Sequence, residues 1–153
     1  MSSTHDADVV AGPAADRPRR TRRFGRLVGI GLVAALAATV VTTLAAALAR
    51  VVGVDFALPE GGEAIPLGGF TVVTGFFSVV GVVIAVALLH WSARPARRFV
   101  WTTVALTVVS MIPPFLAGGN VATIAALLGL HVVPAAVVIP VLARELRRHE
   151  SRP

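Results

Sequence analysis

Four long stretches without Lys, Arg, Asp or Glu, at 27–49, 64–89, 99–117 and 121–143, constrain what this chain can fold into. A helix rises ~1.5 Å per residue, so ~20 residues cross the hydrocarbon core of a bilayer. Each stretch has that length. Lipid offers no partner to a backbone amide or carbonyl, and an unbroken apolar run of this length satisfies its own hydrogen bonds as a helix. The predicted fold is all-α: an integral membrane four-helix bundle, antiparallel and up-down. Its spans are expected at 27–49, 69–91, 98–117 and 121–143.

Four spans use up most of 153 residues and leave no room for a separate soluble domain. Charged residues make up 14% of the chain, against about a quarter in soluble domains, and they sit in tails and connectors. The chain has no cysteine. This excludes a disulfide scaffold, cysteine metal sites and the four-helix quinone-linked thiol oxidoreductases that the helix count would otherwise suggest. All basic residues are Arg and Ala and Val abound, which reads as the codon bias of a GC-rich bacterial genome.

The arginines set the expected topology. Six precede the first span (Arg17, Arg19, Arg20, Arg22, Arg23 and Arg26), three follow the second (Arg94, Arg97, Arg98) and four follow the last (Arg144, Arg147, Arg148, Arg152). The first connector holds only Arg50, and the third connector none. Basic segments stay in the cytoplasm on insertion, and Asp and Glu contribute little. Both termini are therefore expected in the cytoplasm, and the location is the bacterial cell (inner) membrane. This topology accounts for the net charge of +6, so nucleic acid is not an expected partner. The lipid bilayer is, and inner-face arginines can hold anionic lipid headgroups.

Residues 1–23 read as a disordered basic cytoplasmic tail, 24–146 as the transmembrane domain and 147–153 as a second cytoplasmic tail. The competing reading of the first span is a signal peptide cleaved after Ala49, in the triplet Ala47-Leu48-Ala49. Its apolar segment exceeds the ~7–15 residues of a signal core. Arg22-Arg23-Phe24 falls short of a twin-arginine export signal, because Phe follows the pair directly. The first connector carries Asp55, Glu60 and Glu63 among Pro59, Gly61, Gly62, Pro66, Gly68 and Gly69, so it is expected to be irregular. Its carboxylates lack calcium-loop spacing and read as a solvated loop. Gly118-Gly119-Asn120 reads as the turn into the fourth span. Trp91 and Trp101 are expected as interfacial anchors on the cytoplasmic side.

Association in lipid relies on close packing and interhelical hydrogen bonds. Each span offers one stripe of small or polar residues: Gly31, Ala35, Ala38, Thr42, Ala45, Ala49; Thr71, Thr74, Ser78, Gly81, Ala85; Thr103, Thr107, Ser110, Pro114; and Ala122, Ala125, Ala126, Gly129. All four stripes are expected to face inward.

His131 is the one ionisable group deep in a span, and such a residue is a functional hypothesis by default. Pro134 has no N–H, so the Leu130 carbonyl loses its helical partner beside the imidazole. Span midpoints place Thr39, Ser78 and Thr107 at the same depth as His131, making a candidate midplane polar site. The alternative is that His131 only hydrogen-bonds Thr107 or Ser78 and locks the packing. His90 lies at a span end, and His5 and His149 in tails read as inert, so no metal or cofactor is expected. Pro113 and Pro114 read as helix breakers at the outer interface, like Pro134 within the fourth span. A broken helix lining a cavity is the sharper alternative for the Pro113-Pro114 pair.

The segment LLGLHVVPAAVVIPVLAREL (127–146), together with SMIPPF (110–115) and GGFTVVTGFFSVVGVVIA (68–85), resembles a family of uncharacterised four-helix membrane proteins of actinobacteria, grouped as a domain of unknown function. The resemblance covers residues 24–148. It implies a four-helix inner-membrane fold and supplies no activity.

No paired acid and base, and no nucleophile with its base, is visible, so the chain is not expected to be an enzyme. The expected function is that of a small polytopic membrane protein acting through protein partners or oligomers. The alternative is a small transporter or channel subunit with His131 as proton or substrate contact. Four-helix multidrug exporters rely on a membrane-embedded Glu in the first helix, and no span here contains an acidic residue.

Overall fold

The computed structural model describes residues 17–56, 64–116 and 120–151. The expected disorder of residues 1–16, the carboxylates Glu60 and Glu63, the Gly118-Gly119 pair, His5 and Arg152 lie outside them. The described residues form α1 (Arg17–Val51), α2 (Leu67–Trp91), α3 (Pro95–Ser110), the one-turn α4 (Ile112–Leu116) and α5 (Val121–Glu150). Four helical segments are long and apolar enough to cross a membrane, with α3 and α4 together making one of them.

Local chemistry explains the helix boundaries. Pro66 precedes α2 with extended backbone, and Pro95 opens α3 at a position where its missing N–H costs nothing. Asn120 caps α5, its side-chain oxygen accepting from the Thr123 amide at 2.8 Å. Pro113 and Pro114 deprive the Val109 and Ser110 carbonyls of amide donors. α3 accordingly stops at Ser110 and Met111 forms a turn. Both prolines then fall within the first turn of α4, where proline is tolerated, so they interrupt the helix rather than end it.

Three expectations change here. α1 begins at Arg17, so the arginines of 17–23 belong to a helix and not to a tail. α5 runs on to Glu150 and includes residues expected in the second tail. It also passes through Pro134 and Pro140. Pro134 is therefore no breaker in this fold, because losing one donor in a long, packed helix leaves the bonds on either side of it intact.

The helices pack as a ring. α1 lies against α2 and α5, α3 lies against α2 and α5, and α2 meets α5 across the short diagonal. Residues of α1 and α3 do not meet among the described residues. Neighbours around the ring are antiparallel: Gly31 of α1 lies against Val82 and Leu142, whereas Thr43 hydrogen-bonds Thr71 at 2.9 Å.

The core divides into two clusters. One, at the arginine-rich end, gathers Leu27, Ala38, Val82, Phe99, Val138 and Leu142. The other gathers Ala46, Phe56, Leu127 and Leu130 at the opposite end. The α1 stripe faces inward as expected at Gly31, Ala35, Ala38 and Thr42. The α5 stripe does not: Ala122, Ala125 and Gly129 are exposed. Its buried face is Thr123, Leu127, Leu130, Val138 and Leu142, because large side chains on α5 fill the space left by the small residues of α1.

Candidate functional site

Two regions gather polar groups. The first lies between the core clusters, where the sequence places Thr42, Ser78 and His131. His131 is half-buried, and its Nδ1 lies 2.7 Å from the Leu127 carbonyl, one turn back on its own helix. Thr39 donates to the Ala35 carbonyl and Thr107 to that of Thr103, both at 2.8 Å. Thr39 and Ser78 stand on adjoining turns of neighbouring helices, since Thr39 Oγ1 lies next to Gly75. Thr107 is apart from Thr39, because α1 and α3 do not touch. The hydrogen bond that does join two helices here is Thr43 to Thr71. Each of Thr39, Thr107 and His131 thus bonds its own helix, as Ser and Thr in apolar helices often do.

Thr42 is different. It is 1% exposed, and its hydroxyl has no hydrogen-bond partner among the described residues. A buried hydroxyl without a partner costs about 1–3 kcal/mol, so it is a place where this bundle carries a local penalty.

The second region was not visible in the sequence. Glu145 is 3% exposed, although it lies beyond the expected fourth span, 121–143. Its Oε1 stands 2.9 Å from Arg26 Nε and 3.8 Å from His149 Nε2, and its Oε2 stands 3.3 Å from Arg148 Nη1. The helix geometry explains the convergence. Arg148 and His149 lie three and four residues beyond Glu145, on one face of α5. Arg26 immediately precedes Leu27, whose side chain is fully buried against α5. A cavity of about 190 Å³ opens there, lined by Arg22, Arg23, Arg26, Glu145, Arg148 and His149. His149, expected in a tail, is therefore a half-buried member of a charged cluster on α5. One signal was available: α1 and α5 both continue their apolar pattern up to these charges.

At the same end, Glu150 Oε1 accepts from the Ala96 amide at 3.0 Å and so caps α3 from another helix. Trp91 and Trp101 are both exposed, at the end of α2 and in the first turns of α3. His90 is exposed, with the rings of Phe24 and Trp91 at 6.2 and 5.7 Å.

At the opposite end, the described residues of the first connector, 52–56 and 64–66, pack on the bundle. Phe56 is fully buried, with the Phe70 ring at 5.0 Å and the Arg50 guanidinium carbon 6.0 Å from its ring centre. Arg50 also donates through Nη2 to the Ile65 carbonyl. Asp55 Oδ1 accepts from the Thr123 hydroxyl at 3.1 Å, so this carboxylate ties the connector to α5. Among the described residues, no group of three His, Asp or Glu side chains is placed to hold a metal ion.

The outward face of α5 is also unusual for a lipid-facing surface. α1 exposes Leu32, Val33, Leu36, Leu44 and Leu48, and α2 exposes Val72, Phe76, Phe77 and Val83. α5 instead turns outward Ala122, Ala125, Gly129, Val132, Ala136 and Pro140, one continuous stripe of mostly small residues. Beside it runs an apolar groove of about 340 Å³ between α3 and α5, where Val104, Thr107 and Val108 face Val132, Ala136 and Pro140.

A family model described as a family of unknown function (DUF6069) matches residues 22–148, most of the chain, and the protein belongs to that family. The three segments that carry the sequence resemblance fall within the match. No curated protein and no solved structure matches it.

Proposed function

We propose that this is a non-enzymatic integral membrane protein that acts by associating with other membrane helices, as a homo-oligomer or with a partner protein. The observation that carries this reading is the outward small-residue stripe of α5. Helices meet closely in lipid where small residues let their backbones approach, and a small-x-x-x-small pair such as Ala125 and Gly129 is the usual signature. A face that met only lipid would gain more contact from Leu, Val and Phe, as α1 and α2 show. The location we infer is the bacterial inner membrane with both termini in the cytoplasm, supported by the arginines at one end of the bundle and the lone Arg50 at the other.

The absence of cysteine makes the test direct. Val132→Cys on the α5 stripe, oxidised in native membranes, is expected to give a cross-linked dimer. A labelled cysteine at the same position is expected to react with a partner where the contact is heteromeric. Leu36→Cys, on the exposed face of α1, is expected to give neither. Equal cross-linking at both positions, or at neither, would sink the proposal.

A further inference from the structure

The cavity at the arginine-rich end does not enter the association reading and has a chemistry of its own. Four guanidinium groups line it against a single carboxylate, that of Glu145. Glu145 engages Arg26 and Arg148 and holds them in place. Arg22 and Arg23 have no ion-pair partner among the described residues, and both are exposed. The cavity therefore retains net positive charge, and the arginines without an ion pair lie on its α1 wall.

Guanidinium groups present planar forks of N–H donors that match the oxygens of a phosphate, and such charge-assisted bonds are among the strongest a side chain makes. The cavity volume, about 190 Å³, is several times the ~30 Å³ share of a water molecule and accommodates a phosphate group with its nearest waters. Its level along the bundle also matters. Arg26 stands next to Leu27, where the apolar stretch of α1 begins, and Glu145 stands next to Leu146, the last buried apolar residue of α5. The cavity thus opens where apolar surface gives way to charge, at the depth of lipid headgroups.

We propose that this cavity is a phosphate-binding site, filled by the headgroup of an anionic phospholipid or by a soluble phosphate. Arg22 and Arg23 supply the free donors, and Glu145 engages Arg26 beside them and Arg148 on the opposite wall.

Native mass spectrometry of the detergent-solubilised full chain, with added phosphatidylglycerol or phosphatidylcholine, tests the proposal. Thermal unfolding with and without millimolar inorganic phosphate accompanies it. If the source is a lipid, phosphatidylglycerol is retained over phosphatidylcholine, and Arg22→Gln with Arg23→Gln weakens its retention about tenfold or more, the loss expected for charge-assisted bonds. If the source is a soluble anion, inorganic phosphate raises the unfolding midpoint of the wild-type chain and not that of the double variant. Arg97→Gln with Arg98→Gln, at the same end but outside the cavity, is expected to change neither readout. The proposal is overturned if the two lipids are retained equally and phosphate gives no shift. It is equally overturned if the Arg97/Arg98 variant loses as much as the Arg22/Arg23 variant, since the effect would then be surface charge alone. Arg22 and Arg23 are exposed, so the double variant is expected to fold. Should it not, the two single variants give the same readouts.

Discussion

Glu145 Oε1 stands 2.9 Å from Arg26 Nε, joining the far end of the last helix to the near end of the first. The two partners are unlike in environment: the Glu145 side chain is 4% exposed and that of Arg26 49%. Removing the arginine leaves a buried carboxylate with fewer donors, whereas removing the carboxylate leaves cations that can turn to water. Arg26→Met is therefore expected to destabilise the bundle by about 2 kcal/mol, the range of a hydrogen bond to a charged group. Glu145→Leu is expected to cost less, since an apolar side chain often replaces a buried ion without loss. Unfolding titrations in mixed micelles would compare the two, and the opposite order would show that Glu145 organises the cluster by more than charge.

Gly31 is the most closely packed of the described glycines. A Cβ there would meet Val82 Cγ2 at 2.8 Å and Cγ1 at 3.0 Å, with Leu142 Cδ2 at 3.2 Å. Valine is short and cannot swing its methyls aside, so Gly31→Ala is expected to cost about 1–3 kcal/mol as overpacking. Gly129 has nothing within 4 Å of its notional Cβ. Gly129→Ala is expected to leave the stability of one chain unchanged within about 0.5 kcal/mol. Thermal midpoints in detergent would show a drop for Gly31→Ala alone.

That contrast shows what the sequence made legible. Four helices of spanning length could be read from hydropathy, since an unbroken apolar run of about 20 residues satisfies its own backbone in lipid as a helix. Which face of each helix turns inward could not be read as well. Gly31, Ala38 and Thr42 do turn inward, but the similar stripe at Ala122, Ala125 and Gly129 turns out. Composition marks a surface on which helices can approach closely without saying which helix approaches it. Glu145 was hidden for a related reason. Charge counting reads topology from arginines and passes over acids, so a carboxylate just beyond the apolar stretch gave no sign that it is buried. Only the continuation of α5 to Glu150 buries it.

Thr42 offers a test of the interior. Its hydroxyl is buried and has no hydrogen-bond partner among the described residues, so replacing it by valine removes an unsatisfied group at nearly constant shape. Thr42→Val is expected to be neutral or to stabilise by about 1 kcal/mol. Thr43→Val, which would break the contact with Thr71, is expected to destabilise by about 1 kcal/mol. Unfolding midpoints of the two valine variants would separate them. A clear loss for Thr42→Val would mean that its hydroxyl binds a water molecule in the folded protein.

His131 distinguishes association from transport. Its Nδ1 contact is with its own helix, so no neighbouring helix depends on that bond. If the protein works through association, His131→Gln is expected to retain both fold and cross-linking at Val132→Cys. A proton-driven flux in reconstituted vesicles that disappears in His131→Gln would favour the transporter reading instead.

Phe56 sets two effects against each other. Its φ of 52° lies in the left-handed region, which costs a residue other than glycine about 1–2 kcal/mol. Its side chain is fully buried beside Phe70 and Arg50, and burying a phenylalanine contributes about 1.5–3 kcal/mol. Burial outweighs strain, so both Phe56→Ala and Phe56→Gly are expected to destabilise the fold. Their order is the informative result. Glycine is normally the worse substitute, because it loses more backbone entropy on folding. Here alanine keeps the strain and loses the ring, whereas glycine loses the ring and is released from the strain. Phe56→Gly is therefore expected to be the more stable of the two, by up to about 1 kcal/mol once its extra entropy loss is counted against the strain. Equilibrium unfolding of the two variants in the same detergent measures that difference directly. If alanine proved the better substitute, the connector would have to reach the bundle end by a path that leaves Phe56 unstrained.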